Sequence, residues 1–273
     1  MVFNDDVQHE SRAAPAEPER RPAAGRAAER DPAGGAEPGS ARWWADRAAR
    51  ARKRRPRAGG LSITRIVDAA LDILRADGVD ALTVRAVADR LETSSASLYR
   101  HIASRDELLA LIADHVLGDI RLAPTGPDWR ANVEALMREL RRVLLAQPLP
   151  ASAGRSRSGY GPNALRLIDA ALGMFRDAGL NDAQAAYATT TMIQYVAGVA
   201  DIQRSTFGRG AEGAVHTDGF GELLAGLPDE QFTALRAAGA AYVSAPADEV
   251  FAYGMNRLLD GIAALIRRPE AGS

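Results

Sequence analysis

The sequence predicts an all-α protein. Apolar residues recur at the helical spacing i, i+3, i+4, i+7 through most of the chain after residue 60, and no segment alternates apolar and polar residues as a half-buried strand does. Ser, Thr, Asp or Asn precedes most of these stretches and Gly or Pro follows them, as at helix ends. With 273 residues, 47% of them hydrophobic, the chain can form one large or two modest globular units.

Composition excludes several kinds of site. The chain has no cysteine, which excludes disulfides, thiolate metal sites and cysteine catalysis. No apolar run approaches the roughly 20 residues that span a bilayer. The N-terminus carries Asp5 and Asp6 and lacks the apolar core of a signal peptide. We therefore expect a soluble, cytoplasmic protein that does not enter the membrane.

The first 60 residues are rich in Ala, Pro, Arg, Glu and Gly without sustained periodicity, so we expect residues 1–60 to be disordered. They hold 13 Arg or Lys against 9 Asp or Glu, although the net charge of the whole chain is −1. The positive charge culminates in a basic arm formed by Arg52, Lys53, Arg54, Arg55 and Arg57. Trp43 and Trp44 are unusual in such a tail, and one explanation is that they end a short amphipathic helix that docks on the body.

The first helix of the folded region is predicted to begin after Ser62. Its apolar residues are Ile63, Ile66, Val67, Ala70, Leu71 and Leu74. Asp77 and then Gly78 end the pattern, as at a helix C-terminus.

Two short helices joined by a tight turn follow. Thr83 can cap the first, whose apolar residues are Val84, Val87, Ala88 and Leu91. Glu92, Thr93 and Ser94 interrupt this pattern, and the Thr93 or Ser94 hydroxyl can cap the next helix. In the second helix Leu98 and Ile102 have an inward i, i+4 spacing, which leaves a polar outward face made of Ser94, Ser95, Ser97, Arg100 and His101, with Tyr99 at its edge. Such a short, hydroxyl-rich helix is typical of a recognition helix that lies in a DNA major groove.

A capping box, Ser104 with Glu107, opens a further helix that has Leu108, Ile112 and Val116 on one face. At this point Leu61 to Arg121 resembles the tetracycline-repressor family of bacterial regulators. The resemblance rests on Ile66-Val-Asp-Ala-Ala-Leu71, Gly78 before Leu82-Thr-Val-Arg85, Val87-Ala88 with Leu91, Ser97-Leu-Tyr-Arg-His101 and Asp106-Glu-Leu-Leu109. Glu92 departs from the family, which often has Gly there. Either Glu92 takes a left-handed conformation or the turn differs.

The resemblance implies a DNA-reading surface. We expect it to comprise Thr83, Arg85, Ser94, Ser95, Ser97, Tyr99, Arg100, His101 and Arg105. Arg100 would bond guanine or a phosphate, and the hydroxyls would bond phosphates or base edges. The basic arm would lie along phosphates or enter the minor groove, unless it is a solvated tail. The alternative for the whole motif is an ordinary pair of helices with a polar surface.

After Pro124, Gly126 and Pro127 the chain continues as helices. Asp128 can cap the first of them. The others are predicted from Pro162 or Asn163 to Gly179, from Asn181 or Asp182 to about Arg204, from Asp229 to Ala240 and from Asp248 to Arg267. We expect the Gly-rich stretch from Ser205 to Pro228 to be mobile.

This second half resembles the C-terminal domain of tetracycline-repressor-type proteins through Asp128-Trp-Arg130, Gly161-Pro-Asn-Ala-Leu-Arg166, the Tyr187 helix and the segment from Phe251 to Leu265. The resemblance implies a ligand-binding and dimerising domain. The helices at 182–204 and 248–267 would form a four-helix dimer interface. Small residues that permit close approach are Ala197, Gly198, Gly254 and Gly261. The alternative is a tightly packed monomer core.

Nothing in the sequence indicates a metal or a cofactor. His115 and His216 lack the spacing of metal ligands. Tetracycline-binding members of the family use pocket histidines and magnesium, but this chain has Arg121, Leu136 and Leu140 at the loosely matching positions, and its loop from 150 to 162 holds no histidine. A more apolar effector would be lined by Leu136, Met137, Leu140, Phe175, Met192 and Tyr195, unless these residues are plain core.

These observations define three segments: a basic arm (1–60), an N-terminal three-helix helix-turn-helix DNA-binding domain (61–121) and a helical ligand-binding and dimerisation domain (122–273). The function expected is that of a homodimeric, sequence-specific transcriptional repressor. It would bind a palindromic operator in double-stranded DNA and be released by a small-molecule effector. The alternatives are an activator of the same fold, a dimeric helical module that does not bind DNA, and an all-α enzyme. The enzyme would need clustered acid–base or metal ligands, and none has usable spacing.

Overall fold

Helices make up the regular structure of the computed structural model, which describes residues 36–53, 61–122, 126–147, 160–207, 220–226 and 232–267. In these ranges the helices are α1 (Ala41–Lys53), α2 (Ile63–Asp77), α3 (Val84–Arg90), α4 (Ser95–Tyr99), α5 (Arg105–Leu117), α6 (Trp129–Ala146), α7 (Pro162–Asp177), α8 (Asp182–Phe207), α9 (Phe220–Ala225), α10 (Thr233–Ser244) and α11 (Ala247–Ile266). No strand occurs in the same ranges, and the all-α prediction is confirmed. None of these helices is both long and apolar enough to cross a bilayer.

Helices α2 to α5 form the N-terminal unit predicted from the capping residues. Ser62 Oγ accepts a hydrogen bond from the Arg65 N–H, and Ser104 Oγ accepts one from the Glu107 N–H. Because these side chains satisfy backbone donors that the first helical turn leaves unpaired, they fix where α2 and α5 begin. The shared core of the unit contains Ile66, Leu74, Leu82, Val87, Leu98, Ile102, Leu108 and Ile112, all almost fully buried.

The turn between α3 and α4 contains the non-glycine residue that departs from the family. Glu92 has φ +51°, in the left-handed region that an L side chain seldom adopts. The N–H of Glu92 donates to the Asp89 carbonyl and the N–H of Thr93 to the Ala88 carbonyl. The two bonds hold the turn tight, so the first of the two sequence-based possibilities is correct.

Helix α1 lies inside the segment that the composition predicted to be disordered. That prediction is wrong for residues 41–53, because Trp43 provides an apolar anchor that average composition does not register. The Trp43 side chain is 5% exposed and packs in the core of α2 to α5, with the Trp44 ring edge-on to it at 4.7 Å. The docking tryptophans begin the helix instead of ending it. The rest of the arm, residues 1–35 and 54–60, lies outside the described residues.

The C-terminal unit is built on α6, α7 and α8, and α11 packs across them. Asp128 Oδ1 accepts hydrogen bonds from the Arg130 and Ala131 N–H groups at the start of α6. Asn181 Oδ1 accepts one from the Gln184 N–H at the start of α8. The core of the unit contains Ile120, Val133, Met137, Leu140, Phe175, Met192, Val196, Phe251, Met255 and Leu259.

Three helix boundaries differ from the sequence-based ones. Helix α8 extends to Phe207, and α9 lies within the stretch that was expected to be mobile. Helix α10 runs from Thr233 to Ser244 instead of from Asp229 to Ala240. Its Ala-rich second half favours continuation of the helix, and it ends just before Pro246, which starts α11 and cannot donate a backbone hydrogen bond.

The small residues of α8 and α11 serve two different purposes. No atom lies within 4 Å of where a side chain would begin at Gly198 or Gly261, so both positions face open space, as a surface for a second copy requires. Ala197 is buried within the chain, and Gly254 lies against the Tyr195 ring, where a methyl group would overlap the phenol. The expectation that all four face a partner is therefore wrong for Ala197 and Gly254.

Candidate nucleic-acid interface

The polar face of α4 and of the turn after it lies outward because Leu98 and Ile102 point inward. Leu98 and Ile102 are almost fully buried beneath the helix. Arg100 and Tyr99 are exposed, the latter by 56%, and Ser95, Ser97 and His101 are half-buried. A five-residue helix gains little stability from its own hydrogen bonds, so the contacts under α4 hold it in place. The result is a short ridge of hydroxyl, phenol, imidazole and guanidinium groups.

The two cap residues contribute to this surface in a second way. Thr83 Oγ1 accepts a hydrogen bond of 3.0 Å from the Ala86 N–H, and Ser94 Oγ accepts one of 3.2 Å from the Ser97 N–H. Each hydroxyl uses a lone pair for the cap and keeps its O–H for another acceptor. Both residues are exposed, so each can donate to a phosphate oxygen while it caps its helix.

Arg85 and Arg100, two arginines of this polar surface, make weak contacts within the chain. The Arg85 side chain is 87% exposed and its Nε lies 3.9 Å from Asp89 Oδ2. Arg100 Nη2 donates to Ser97 Oγ at 2.9 Å. An exposed ion pair such as that of Arg85 contributes about 0–1 kcal/mol, so its guanidinium can be redirected to an anion at little cost. Arg100 is also exposed, and its bond to Ser97 uses one guanidinium nitrogen, so the other nitrogens can donate to an anion.

Arg105 was expected in the DNA-reading set, but the structure gives its guanidinium a different use. Its Nε donates to the Leu82 carbonyl at 2.9 Å and its Nη2 to the Val79 carbonyl at 2.8 Å. These bonds tie the start of α5 to the loop before α3. Arg105 therefore positions the two helices of the motif with two of its guanidinium nitrogens, and its expected contact with DNA stays a prediction.

Glu107 is a buried member of the same region that sequence reasoning treated only as part of a capping box. Its Oε2 accepts a 2.7 Å hydrogen bond from the Ala103 N–H, one residue before the position that a capping box uses. Its Oε1 lies 2.6 Å from Arg47 Nη1 of α1. The ion pair with α1 could not be anticipated, since 60 residues separate the partners.

The basic arm is described only in part. Arg52 is exposed near the end of α1, and Lys53 ends the helix. Arg54, Arg55 and Arg57 lie outside the described residues, so their expected contact with DNA stays a prediction.

A polar junction joins the N-terminal unit to the C-terminal one. The buried carboxylate of Asp114, on α5, accepts hydrogen bonds from the backbone N–H groups of Asn163 at 3.1 Å and Ala164 at 3.0 Å, which begin α7. It also accepts one from Asn163 Nδ2 at 3.2 Å. Gly161 lies against this carboxylate, and a side chain there would overlap it.

The junction is reciprocal, because α7 also caps α5. Arg166 Nη2 donates to the Leu117 and Ile120 carbonyls at 3.3 and 3.2 Å, where α5 ends. Each helix thus satisfies terminal backbone groups of the other. A displacement of α7 must break these bonds or carry α5, and the helices packed on it, along.

A cavity of about 230 Å³ opens between α6, α7 and the segment after α5, lined by Arg121, Leu122, Asn132, Ala135, Leu136, Glu139 and Met174. Leu136, one of the residues expected to line a pocket, lines this cavity. Met137, Leu140, Phe175 and Met192 are packed in the core, where the alternative interpretation placed them.

Tyr195 does not border this cavity either. It stacks on Phe251 with ring centroids 5.7 Å apart, and its hydroxyl donates to the Phe251 carbonyl at 2.8 Å. Burial raises the pKa of the phenol above its ordinary value. The residue joins α8 to α11.

An ion pair lies at the rim of the cavity, because Arg142 donates to both carboxylate oxygens of Glu139, at 2.7 and 2.8 Å. The hydrogen bond from Arg142 to Glu139, with further help from the Arg121 N–H, lowers the pKa of Glu139 from 4.5 to about 2. The carboxylate is therefore ionised at neutral pH. Among the described residues no group of three or more His, Cys, Asp or Glu side chains is placed to hold a metal ion.

Comparisons with known proteins agree with this architecture. Residues 66–112 match the family described as bacterial regulatory proteins, tetR family, and residues 123–266 match the family described as tetracyclin repressor-like, C-terminal domain.

Individual relatives cover different shares of the chain. The chain is 30% identical to the HTH-type transcriptional repressor DrrR1 of Streptomyces coeruleorubidus, over 80% of this chain and 85% of that one. It is 40% identical to an HTH-type transcriptional regulator of Saccharopolyspora erythraea, over 50% of this chain and 59% of that one. The crystal structure of the TetR family protein ActR of Streptomyces coelicolor in complex with actinorhodin superposes with a TM-score of 0.69 at 33% identity, covering 77% of this chain and 100% of that one.

Proposed function

The chain belongs to the tetR family of DNA-binding transcriptional regulators, and from this premise we propose that it is a homodimeric repressor that a small-molecule effector releases from a palindromic operator. The observation that carries the proposal is the outward polar face of α4 over the buried Leu98 and Ile102. The choice of repression over activation is supported by the similarity to the repressor DrrR1.

In this proposal two α4 helices, one from each protomer, lie in successive major grooves about 34 Å apart. Ser95, Ser97, Tyr99, Arg100 and His101 contact bases or phosphates, while Thr83, Arg85 and Ser94 contact the backbone. Arg105 holds the motif in shape. The second copy covers α8 and α11 at Gly198 and Gly261, where the apolar side chains of Tyr187, Ile202, Val250 and Tyr253 are exposed.

The proposed effector site is the cavity beside α6 and α7. Its 230 Å³ is below the roughly 300–1,000 Å³ of common small-molecule sites, so an effector must widen it. Leu136 and Met174 favour an apolar molecular body. The ionised Glu139 favours a hydrogen-bond donor at one end. That the similar protein ActR holds actinorhodin supports an organic effector rather than a metal ion.

Effector binding reaches the DNA-binding unit through the junction of Asp114 with α7 and of Arg166 with α5. Met174, which lines the cavity, lies on the same helix as Asn163 and Arg166. Widening the cavity moves α7, and the reciprocal caps pass the motion to α5. Repression is relieved if the effector favours the displaced state by only about 1–3 kcal/mol.

The proposal includes action in the cytoplasm and no catalytic activity, as suits a family of transcriptional regulators. A gel-shift assay of the full-length protein against DNA upstream of its own gene tests the central step. We expect a retarded complex that resists excess nonspecific DNA and weakens as salt rises. Absence of retardation at every salt concentration would contradict the proposal.

A further inference from the structure

Helix α1 lies before both segments that match the family, yet it is fixed firmly to the DNA-binding unit. Trp43 is buried in the core of α2 to α5. One turn later, the Arg47 guanidinium lies 5.3 Å from the centre of the Trp43 ring and pairs with Glu107 at 2.6 Å. Both members of the ion pair are mostly buried, with side chains 19% and 10% exposed, so solvent screens the pair less than it screens a surface pair.

The attachment point is the segment that joins α4 to α5. Glu107 bonds Arg47 through one carboxylate oxygen and the Ala103 N–H through the other. Ala103 follows the end of α4 by four residues. Helix α1 is therefore attached to the start of α5 and, through Glu107, to the segment that follows α4.

Beyond Arg47 the helix runs off the body of the domain. Arg50 continues the i, i+4, i+7 face that begins with Trp43 and Arg47, but it is exposed, as are all the residues from Ala48 to Arg52. On this face of α1, Trp43 and Arg47 are mostly buried, whereas Arg50 is exposed. Among the described residues, no acidic side chain lies within ion-pair distance of Arg50 or Arg52. Helix α1 thus exposes the Arg50 and Arg52 side chains to solvent, and Arg52 Nε donates a long hydrogen bond of 3.5 Å to the Ala48 carbonyl of the same helix.

We propose that α1 is a second DNA-contacting element, which binds the phosphates of the duplex just outside the base pairs read by α4. The inference rests on the proposed function. Arginines on a rigid helix suit phosphate recognition, because the helix is already ordered and little conformational entropy is lost on binding. The alternative for Arg50 and Arg52 is a local role, in which they offset the negative end of the α1 dipole.

The two roles predict different salt dependence. Each phosphate contact contributes about 0.9 to the slope of log K against log salt on duplex DNA. Loss of two contacts in each protomer of a dimer should lower the slope by about 3–4. Because Ala is at least as good a helix former as Arg, the double variant R50A/R52A should keep α1 helical.

The test compares the full-length protein with R50A/R52A on two duplexes, one trimmed to the palindromic base pairs read by α4 and one extended by about one helical turn, or roughly 10 base pairs, on each side. We expect the wild type to bind the extended duplex at least tenfold more tightly, and R50A/R52A to bind both equally with the reduced salt slope. The variant R50K/R52K should largely restore the length preference. The matched control R138A/R176A removes two exposed arginines of the C-terminal unit and should behave as the wild type.

Each result is decisive. If R50A/R52A retains the length preference and the salt slope, or if the wild type binds both duplexes equally, α1 does not contact flanking DNA and the inference is overturned. In both cases binding to the trimmed duplex leaves the proposed function intact. If the wild type binds neither duplex, the proposed function itself fails.

Discussion

Asp114 provides a sharp test of how the two units are joined. Its carboxylate accepts hydrogen bonds from the Asn163 and Ala164 N–H groups and from Asn163 Nδ2. Hydrogen bonds to a charged group contribute about 1.5–3 kcal/mol each, but bonds that share one acceptor do not add. Replacement by Ala also leaves the N–H groups at the start of α7 without their partner. We therefore expect D114A to lower the free energy of unfolding by about 3 kcal/mol.

The neighbouring glycine makes the test more specific. A methyl group at Gly161 overlaps the Asp114 carboxyl group, so G161A alone should also destabilise the protein. D114A removes the group that the methyl meets. The double variant D114A/G161A should therefore be more stable than the sum of the two single effects implies, with a coupling of about 1 kcal/mol or more.

Urea unfolding of the wild type, D114A, G161A and D114A/G161A measures the changes in the free energy of unfolding. Hydrogen exchange at the amides of Asn163 and Ala164 shows whether the loss of stability lies at the start of α7. The control is D169A, which removes an exposed carboxylate from the same helix and should change stability by less than about 0.5 kcal/mol. The reasoning would be refuted if D114A were no more destabilised than D169A, or if the effects of D114A and G161A simply added.

Three further predictions concern single positions. Because Glu92 has φ +51°, E92G should raise the free energy of unfolding by about 0.5–1 kcal/mol in urea, whereas a loss of stability would mean that its side chain is needed in the turn. S97A and R100A should each weaken operator binding by about 1–3 kcal/mol in titrations while leaving nonspecific binding nearly unchanged; equal loss on all sequences would assign them to phosphates alone. The lowered pKa of Glu139 means that its pairing with Arg142 stabilises the fold fully above pH 4.5, and that this contribution is lost as pH falls towards 2. E139Q should therefore flatten the stability profile over that window, and an unchanged profile would contradict the cause given for the shift.

The helices of the DNA-binding unit could be predicted because their determinants are local. Ser62, Thr83, Ser94 and Ser104 each accept the bond expected of a cap, and the inward spacing of the apolar residues fixed which face is polar. These signals act over three or four residues, a distance that sequence periodicity records well.

The sequence failed where the outcome depends on partners far away in the chain. Composition could not reveal that Trp43 is buried, and no spacing pairs Asp114 with Asn163 or Arg47 with Glu107. Cavity and core residues also share one apolar pattern, so periodicity alone could not separate Leu136, which lines the cavity, from Met137, which does not.

Methylation protection of guanine N7 on the bound operator tests the central claim most directly, because N7 lies in the major groove where α4 is expected. The account predicts protection in two major-groove segments, centred about 34 Å apart or a multiple of that distance, and loss of protection at specific guanines in R100A. A bound complex in which every major-groove guanine stays reactive would contradict it.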